Sequence, residues 1–455
     1  MPGANSEVMK KFTVFIYFNL TLAAVLLVLL LGWKVVIAGE RLGMVVLGVS
    51  SFLVFYAALS ALSLAAVRKG RGSLAAKIWI LLFSLVFFYV LLDVVGGLIF
   101  MRPEPFRNSP DSRVHHKMLP NKEYVMFNPF DFEVEMTTNN MGFRGRDVGA
   151  KDAGAYRIVM LGDSFTMGEG VADGHAFPLI VESILNGEGV GVYDVINLGV
   201  ESYTPILEYL TLDANIETLK PDLVVMNFDM SDLVGEYVYF QEAAVFDKDG
   251  TVIAVDGYPE YNRRRYNTRE NLSSFVRSRL FLTGALMTML QKRTETDIAL
   301  DNLDVRHAIE SENFTMLLHT LDVPQPPETD EMYSYVENSI LRTKRLCDAH
   351  GSGFILTVYP WGHQVSEDEW IPGRHGFVPE GAALSDRTVK RLREFSAENG
   401  IVFFDAFPHF RAHDGDEPLY FDHDMHWTPA GQKLMAESLA GFLEGYISGA
   451  ENPKQ

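Results

Sequence analysis

Ile158-Val159-Met160-Leu161-Gly162-Asp163-Ser164-Phe165-Thr166 is the stretch on which the fold turns. A short apolar run that stops at a glycine reads as a buried strand closed by a tight turn. A strand ending in Gly-Asp-Ser presents a serine hydroxyl at the carboxyl edge of a sheet. Counting from Arg157, this run is 157–161, and four others resemble it, at 192–197, 223–228, 354–359 and 402–405. Longer amphipathic stretches separate them, including 204–219, 334–350, 386–399 and 430–443. That alternation predicts an α/β domain, a parallel sheet with helices on both faces. Ligands of such sheets bind beyond the carboxyl ends of the strands. Ser164, Gly199 and Ser231 all follow such ends.

Near the far end of the chain stands Asp422-His423-Asp424-Met425-His426-Trp427-Thr428-Pro429. Thr428 as N-cap and Pro429 at the first helical position signal a helix start. His426 is therefore expected on a loop tied to a helix. A hydroxyl, an imidazole and a carboxylate are the three parts that serine acyl chemistry requires. Plainer uses compete: a serine in such a turn caps helices, Gly199 can be a turn glycine, and His426 a surface histidine. Histidines and acids crowd 409–426 (His409, His413, Asp414, Asp416, His423, Asp424, His426) and keep a zinc site open as an alternative.

The 455 residues allow two or three domains, and the formal net charge is −20. Nucleic-acid binding needs a basic footprint, so that balance argues against it. Cys347 is the single cysteine, which rules out an intrachain disulfide. The lack of disulfides does not decide the compartment.

The apolar residues concentrate in the first hundred positions. Three stretches, 12–33, 42–67 and 78–101, each exceed the roughly 20 apolar residues that cross a bilayer as helix. Lys10 and Lys11 precede the first, Arg41 is the only basic residue of the first loop, and Arg68, Lys69, Arg71 and Lys77 crowd the second. Basic loops stay cytoplasmic. The expectation is a multi-pass membrane anchor over 1–101, with a cytoplasmic amino terminus and everything after Met101 extracytoplasmic. Asp93 inside the third span and Lys34 at the end of the first are expected toward the outer face, packed together or reaching the interface. Residues 102–145 read as a connector with some extended structure. The domain proper is expected over 146–449, with an insertion at about 236–330 that contains the basic patch Arg263-Arg264-Arg265.

With these blocks in order, the chain resembles the SGNH, or GDSL-type, serine hydrolase family. Gly162-Asp163-Ser164-Phe165 is similar to its nucleophile block, Asn197-Leu198-Gly199 to its oxyanion glycine block, and Met226–Asp232 to the block that usually carries Gly-x-Asn-Asp. Asp424-Met425-His426 is similar to its terminal Asp-His block. The resemblance implies a three-layer α/β/α fold with a five-stranded parallel sheet, flavodoxin-like. It implies Ser164 as nucleophile, His426 as base, Asp424 as acid, and an oxyanion site from the N–H groups of Ser164 and Gly199 with Ser231. Two departures stand out. Ser231 occupies the place of the usual asparagine. The acid lies two residues before the histidine, as in relatives that act on exopolysaccharides, with Asp422 as the other candidate. The implied function is an esterase on acyl, above all acetyl, esters of a cell-envelope or secreted carbohydrate, with no cofactor or metal. An acyltransferase working with a membrane-bound acyl-carrying partner, and a non-catalytic glycan-binding scaffold, are the alternatives.

Overall fold

In the computed structural model the described residues are 108–128, 130–187, 193–259, 317–378 and 381–451, with Ala65, Lys69, Ser73, Leu74, Lys77, Trp79, Tyr89, residues 91–95 and Thr283. The chain divides into two compact units: Met1–Phe100 with Arg279–Leu286, and Met101–Ser278 with Met287–Gln455.

The second unit is built on five parallel strands: β5 (Tyr156–Leu161), β6 (Tyr193–Asn197), β7 (Leu223–Phe228), β10 (Gly353–Val358) and β11 (Val402–Asp405). All five runs expected from the sequence are present. Their spatial order is β11-β10-β7-β5-β6. This is the doubly wound order in which the first strand lies between the second and the third. Registers such as Ile158↔Val195, Ile158↔Leu223, Ile355↔Val225 and Ile355↔Val402 hold the sheet together. β7 is buried along its whole length, as expected for a parallel strand covered on both faces.

The chain leaves β5 toward one edge and then reverses. Right-handed crossovers therefore send the helices to opposite faces. Phe177–Asn186 packs with the carboxyl-terminal helix Pro429–Glu451, while Pro205–Leu219, Asp232–Glu242 and Thr329–His350 pack with one another. Phe177–Asn186 and Asp232–Glu242 were not expected from the sequence. The last helix starts as expected: the Gly431 N–H donates to Thr428 Oγ1 at 3.3 Å.

The connector holds more order than its composition suggests. β1 (Asn108–Pro110) pairs with β2 (His116–Met118), and β3 (Glu123–Asn128) pairs with β4 (Phe132–Thr137), both antiparallel. Within the insertion, β8 (Ala244–Phe246) and β9 (Val252–Val255) form a third ribbon; Arg263, Arg264 and Arg265 lie outside the described residues.

The first unit contains the predicted spans. The stretch 12–33 and Lys34 lie outside the described residues, as do 42–67 except Ala65 and most of 78–101. Among the described residues no helix is long and apolar enough to cross a membrane. Asp93 is buried and accepts from the N–H and hydroxyl of Thr283, at 3.0 and 2.5 Å.

Candidate active site

β5 delivers the chain to Gly162, where a side chain has no room: a Cβ would lie 2.1 Å from Thr166 Oγ1. The turn runs into the short helix Ser164–Met167. Its cap is Asp163, whose carboxylate accepts the Phe165 N–H at 2.9 Å and the Tyr359 hydroxyl at 3.1 Å. Ser164 is thus relieved of capping. As the first residue of the helix, it has an N–H without an intrahelical acceptor. Arg144, 1% exposed, clamps the far end of this turn by donating to the carbonyls of Met167, Gly168 and Val171, with Asp173 on its Nε. It is a structural arginine.

His426 meets this turn from the other end of the chain. Its Nε2 is 2.6 Å from Ser164 Oγ and its Nδ1 2.5 Å from Asp424 Oδ1. Asp424 Oδ1 also accepts the His426 N–H at 3.0 Å, which closes the Asp-x-His turn on itself. The loop is tied to its own return: the Phe421 N–H donates to the His426 carbonyl at 3.0 Å and the Thr428 N–H to that of Leu419 at 2.9 Å. The His426 ring lies against Phe165, centroids 4.7 Å apart, and Trp427 packs on both Phe165 and Tyr359. The Phe165 ring thus covers the largely buried imidazole, and burial strengthens the charge interactions there.

The electrostatics follow. Burial works against a charged His426, yet Asp424, with Glu169 and Asp163 behind it, raises the imidazole to about 9. Burial likewise works to raise Asp424, but the facing His426 and the donors around it hold the carboxyl below its ordinary value. Asp424, not Asp422, is the acid joined to His426. Asp422 instead accepts the Gly373 N–H through its carbonyl at 2.8 Å.

Two of the three expected oxyanion donors, Gly199 and Ser231, are engaged elsewhere. The Gly199 N–H donates to Asn197 Oδ1 at 2.8 Å. Gly199 is required for packing as well, since a Cβ there would come within 2.3 Å of the Met167 nitrogen. The Ser231 N–H donates to Asp229 Oδ1 at 2.7 Å. Asn227 points into the sheet, its amide between the Leu161 carbonyl and Thr357 Oγ1. Among the described residues no group of three or more His, Cys, Asp or Glu is placed to hold a metal ion. His423, from the histidine-rich cluster, pairs with Asp131 instead.

Sequence reading missed the acids beneath the nucleophile. Asp163, Glu208, Asp229, Asp232 and Glu236 are all buried. Burial, then Asp229, pushes Asp163 up to about 8; burial takes Glu236 to about 7. Glu208 rises by burial, then by Asp163 and Glu236, and among the described residues neither of its oxygens has a hydrogen-bond partner. Nothing local in the sequence marks these residues as neighbours, because they come from three separate segments.

Two outcomes follow. A buried acid raised in the folded state binds its proton more tightly there than when unfolded, so stability falls as pH rises above the unfolded value. A histidine raised to about 9 loses its contribution over the upper part of the same range. Melting temperature should decline steadily from mildly acidic pH to about 8, the value to which Asp163 is raised. A flat profile would refute this. Replacing a buried polar group that lacks partners by an apolar one of similar shape removes a desolvation cost of about 1–3 kcal/mol. Glu208→Met should therefore raise stability at neutral pH by that order and flatten the decline, as urea unfolding would show.

Residues 322–455 match the family model described as SGNH hydrolase-like domain, acetyltransferase AlgX. The matched stretch contains Asp424 and His426 and begins after Ser164. The resemblance to SGNH-type hydrolases read from the sequence is borne out by this match to the carboxyl-terminal part of the chain. No curated protein matches the chain. Among solved structures, a catalytic mutant of Axe2, an acetylxylan esterase from Geobacillus stearothermophilus, is 16% identical over 64% of this chain and 94% of that one, with a TM-score of 0.31. The psychrotrophic esterase EstA from Pseudoalteromonas sp. is 10% identical over 64% and 99%, with a TM-score of 0.31. TesA is 12% identical over 64% and 98%, with a TM-score of 0.33.

Proposed function

We propose that this chain is a membrane-anchored serine esterase whose α/β domain works outside the cytoplasm on acyl, above all acetyl, esters of a cell-envelope or secreted carbohydrate. The observation that supports it most is the unbroken hydrogen-bonded line from Asp424 through His426 to Ser164. Ser164 Oγ attacks the ester carbonyl while His426 Nε2 takes its proton. Asp424 keeps the other proton on Nδ1 and stabilises the imidazolium. His426 then protonates the departing sugar alkoxide, leaving an acyl-serine. Water, deprotonated by the same imidazole, attacks that acyl group and restores Ser164. The Ser164 N–H is the ready oxyanion donor. Gly199 joins it by releasing Asn197, and Ser231 by turning its hydroxyl away from Asp229.

The second reading, acyl transfer, draws support from the acetyltransferase named in the matched family. There a sugar hydroxyl replaces water in the second half-reaction. The acyl donor reaches the site through a membrane-embedded partner, for which the apolar stretches at 12–33, 42–67 and 78–101 offer a docking surface. The carbohydrate substrate and the outside location are supported by the Asp-x-His spacing and by the basic loops. Incubating the full-length protein in detergent with an acetylated oligosaccharide, with and without an unacetylated acceptor glycan, separates the two. Free acetate supports the esterase, acetylated acceptor the transferase, and neither product eliminates both.

A further inference from the structure

The acid of the site is held by a part of the chain that the sequence presents as a mere connector. The β3–β4 hairpin turns at Asn128–Phe132, and its tip reaches the loop that presents Asp424 and His426. Asp131 has a side chain only 3% exposed. Its two oxygens accept the N–H of His423 at 3.1 and 3.3 Å and its Oδ2 accepts that of Asp424 at 2.7 Å. Two successive backbone N–H groups converging on one carboxylate form a nest, an anion-binding concavity. The same carboxylate accepts from His423 Nδ1 at 3.1 Å, and Phe130 stacks on the His423 ring, centroids 4.6 Å apart. From the same turn, Asn128 Nδ2 donates to Asp424 Oδ2 at 3.4 Å, the oxygen that His426 does not use.

We propose that Asp131 is a positioning residue for the Asp424–His426 pair, and that the hairpin tip is a working part of the active site. The inference rests on reading Ser164, His426 and Asp424 as the catalytic triad. Its physical basis is economy of freedom. Asp424 sits on an irregular loop, where no helix or strand fixes its carbonyl and N–H directions. The nest fixes the backbone at residues 423 and 424, Asn128 fixes the free carboxylate oxygen, and the imidazole then has one place to lie. Without Asp131, two inward-facing N–H groups lose their acceptor and the loop relaxes. Misplacement of a reacting group by about 1 Å costs on the order of 100-fold in rate.

The test uses the full-length protein in detergent, with 4-nitrophenyl acetate as substrate and a fluorophosphonate as probe of Ser164. Asp131→Ala should lower kcat by roughly 100-fold and leave KM unchanged, because the residue acts on the catalytic pair and touches no substrate. Asp131→Asn retains one acceptor oxygen and should fall between. Formate, small enough to enter the vacated nest, should restore part of the activity of Asp131→Ala and leave the wild type unaffected. The low-field proton resonance of the His426–Asp424 bond should weaken in both variants. If Asp131→Ala does not fold, the nearly isosteric Asp131→Asn decides. A wild type that reacts with the probe while Asp131→Asn reacts equally fast, its proton resonance intact, overturns this inference alone. A wild type that reacts with neither reagent overturns the triad along with it.

Discussion

Replacing Ser164 with Ala should lower ester release by roughly 10^4- to 10^6-fold, the loss seen when a serine triad loses its nucleophile. The expectation is specific to this geometry. Ser164 is 9% exposed and lies in a helix capped by its neighbour Asp163, so alanine fits the helix and removes one oxygen. The oxygen removed is the one 2.6 Å from His426 Nε2. The fold should survive, with melting temperature little changed. Intact mass after exposure to a fluorophosphonate should show one adduct on the wild type and none on the variant. A variant that keeps its ester release, or that takes up the probe as the wild type does, would remove Ser164 from the chemistry.

Asp424→Asn should cost about 10^4-fold in kcat, the scale on which a triad amide holds the imidazole in the wrong tautomer. The variant places an N–H2 or a neutral carbonyl where an anion now meets Nδ1 at 2.5 Å. It should also displace the pH dependence. In the wild type the imidazole is raised to about 9 with Asp424 as the main raising influence, so the neutral, proton-accepting form grows as pH climbs toward that value, and the rate should climb with it. Without the carboxylate, burial is left to push the imidazole down, and the rising limb should move to lower pH. Asp422→Asn serves as the comparison and should leave both rate and limb in place. A limb that stays put in Asp424→Asn, or moves in Asp422→Asn, would assign the acid wrongly.

The strands and the nucleophile turn were legible because their signals are local. Runs such as 223–228 announce burial through consecutive apolar residues, and Gly162-Asp163-Ser164 announces a turn through residues that only a tight bend tolerates. The helix Asp232–Glu242 was not legible for a related reason. Half of its buried face is acidic, Asp232 and Glu236, so the apolar periodicity that marks a helix is broken. Gly199 was legible as a glycine that must be a glycine, but not for its reason. The close approach of the Met167 backbone and the bond from the Gly199 N–H to Asn197 both involve the way the chain leaving β6 passes the nucleophile turn.

The sequence by itself determined the sheet, the order of its strand-forming segments, and the three residue types that meet at its carboxyl edge. The segments follow from spacing along the chain, where neighbours in sequence are neighbours in space, and the residue types from the resemblance of their blocks to a known family. Only the tertiary structure decided that Asp424 rather than Asp422 faces His426, that Asp131 lies beneath them from 293 residues away, and that five acids share one buried region. These are distances between distant segments. They are fixed by how helices and hairpins pack on the sheet, and no local pattern of residues encodes them.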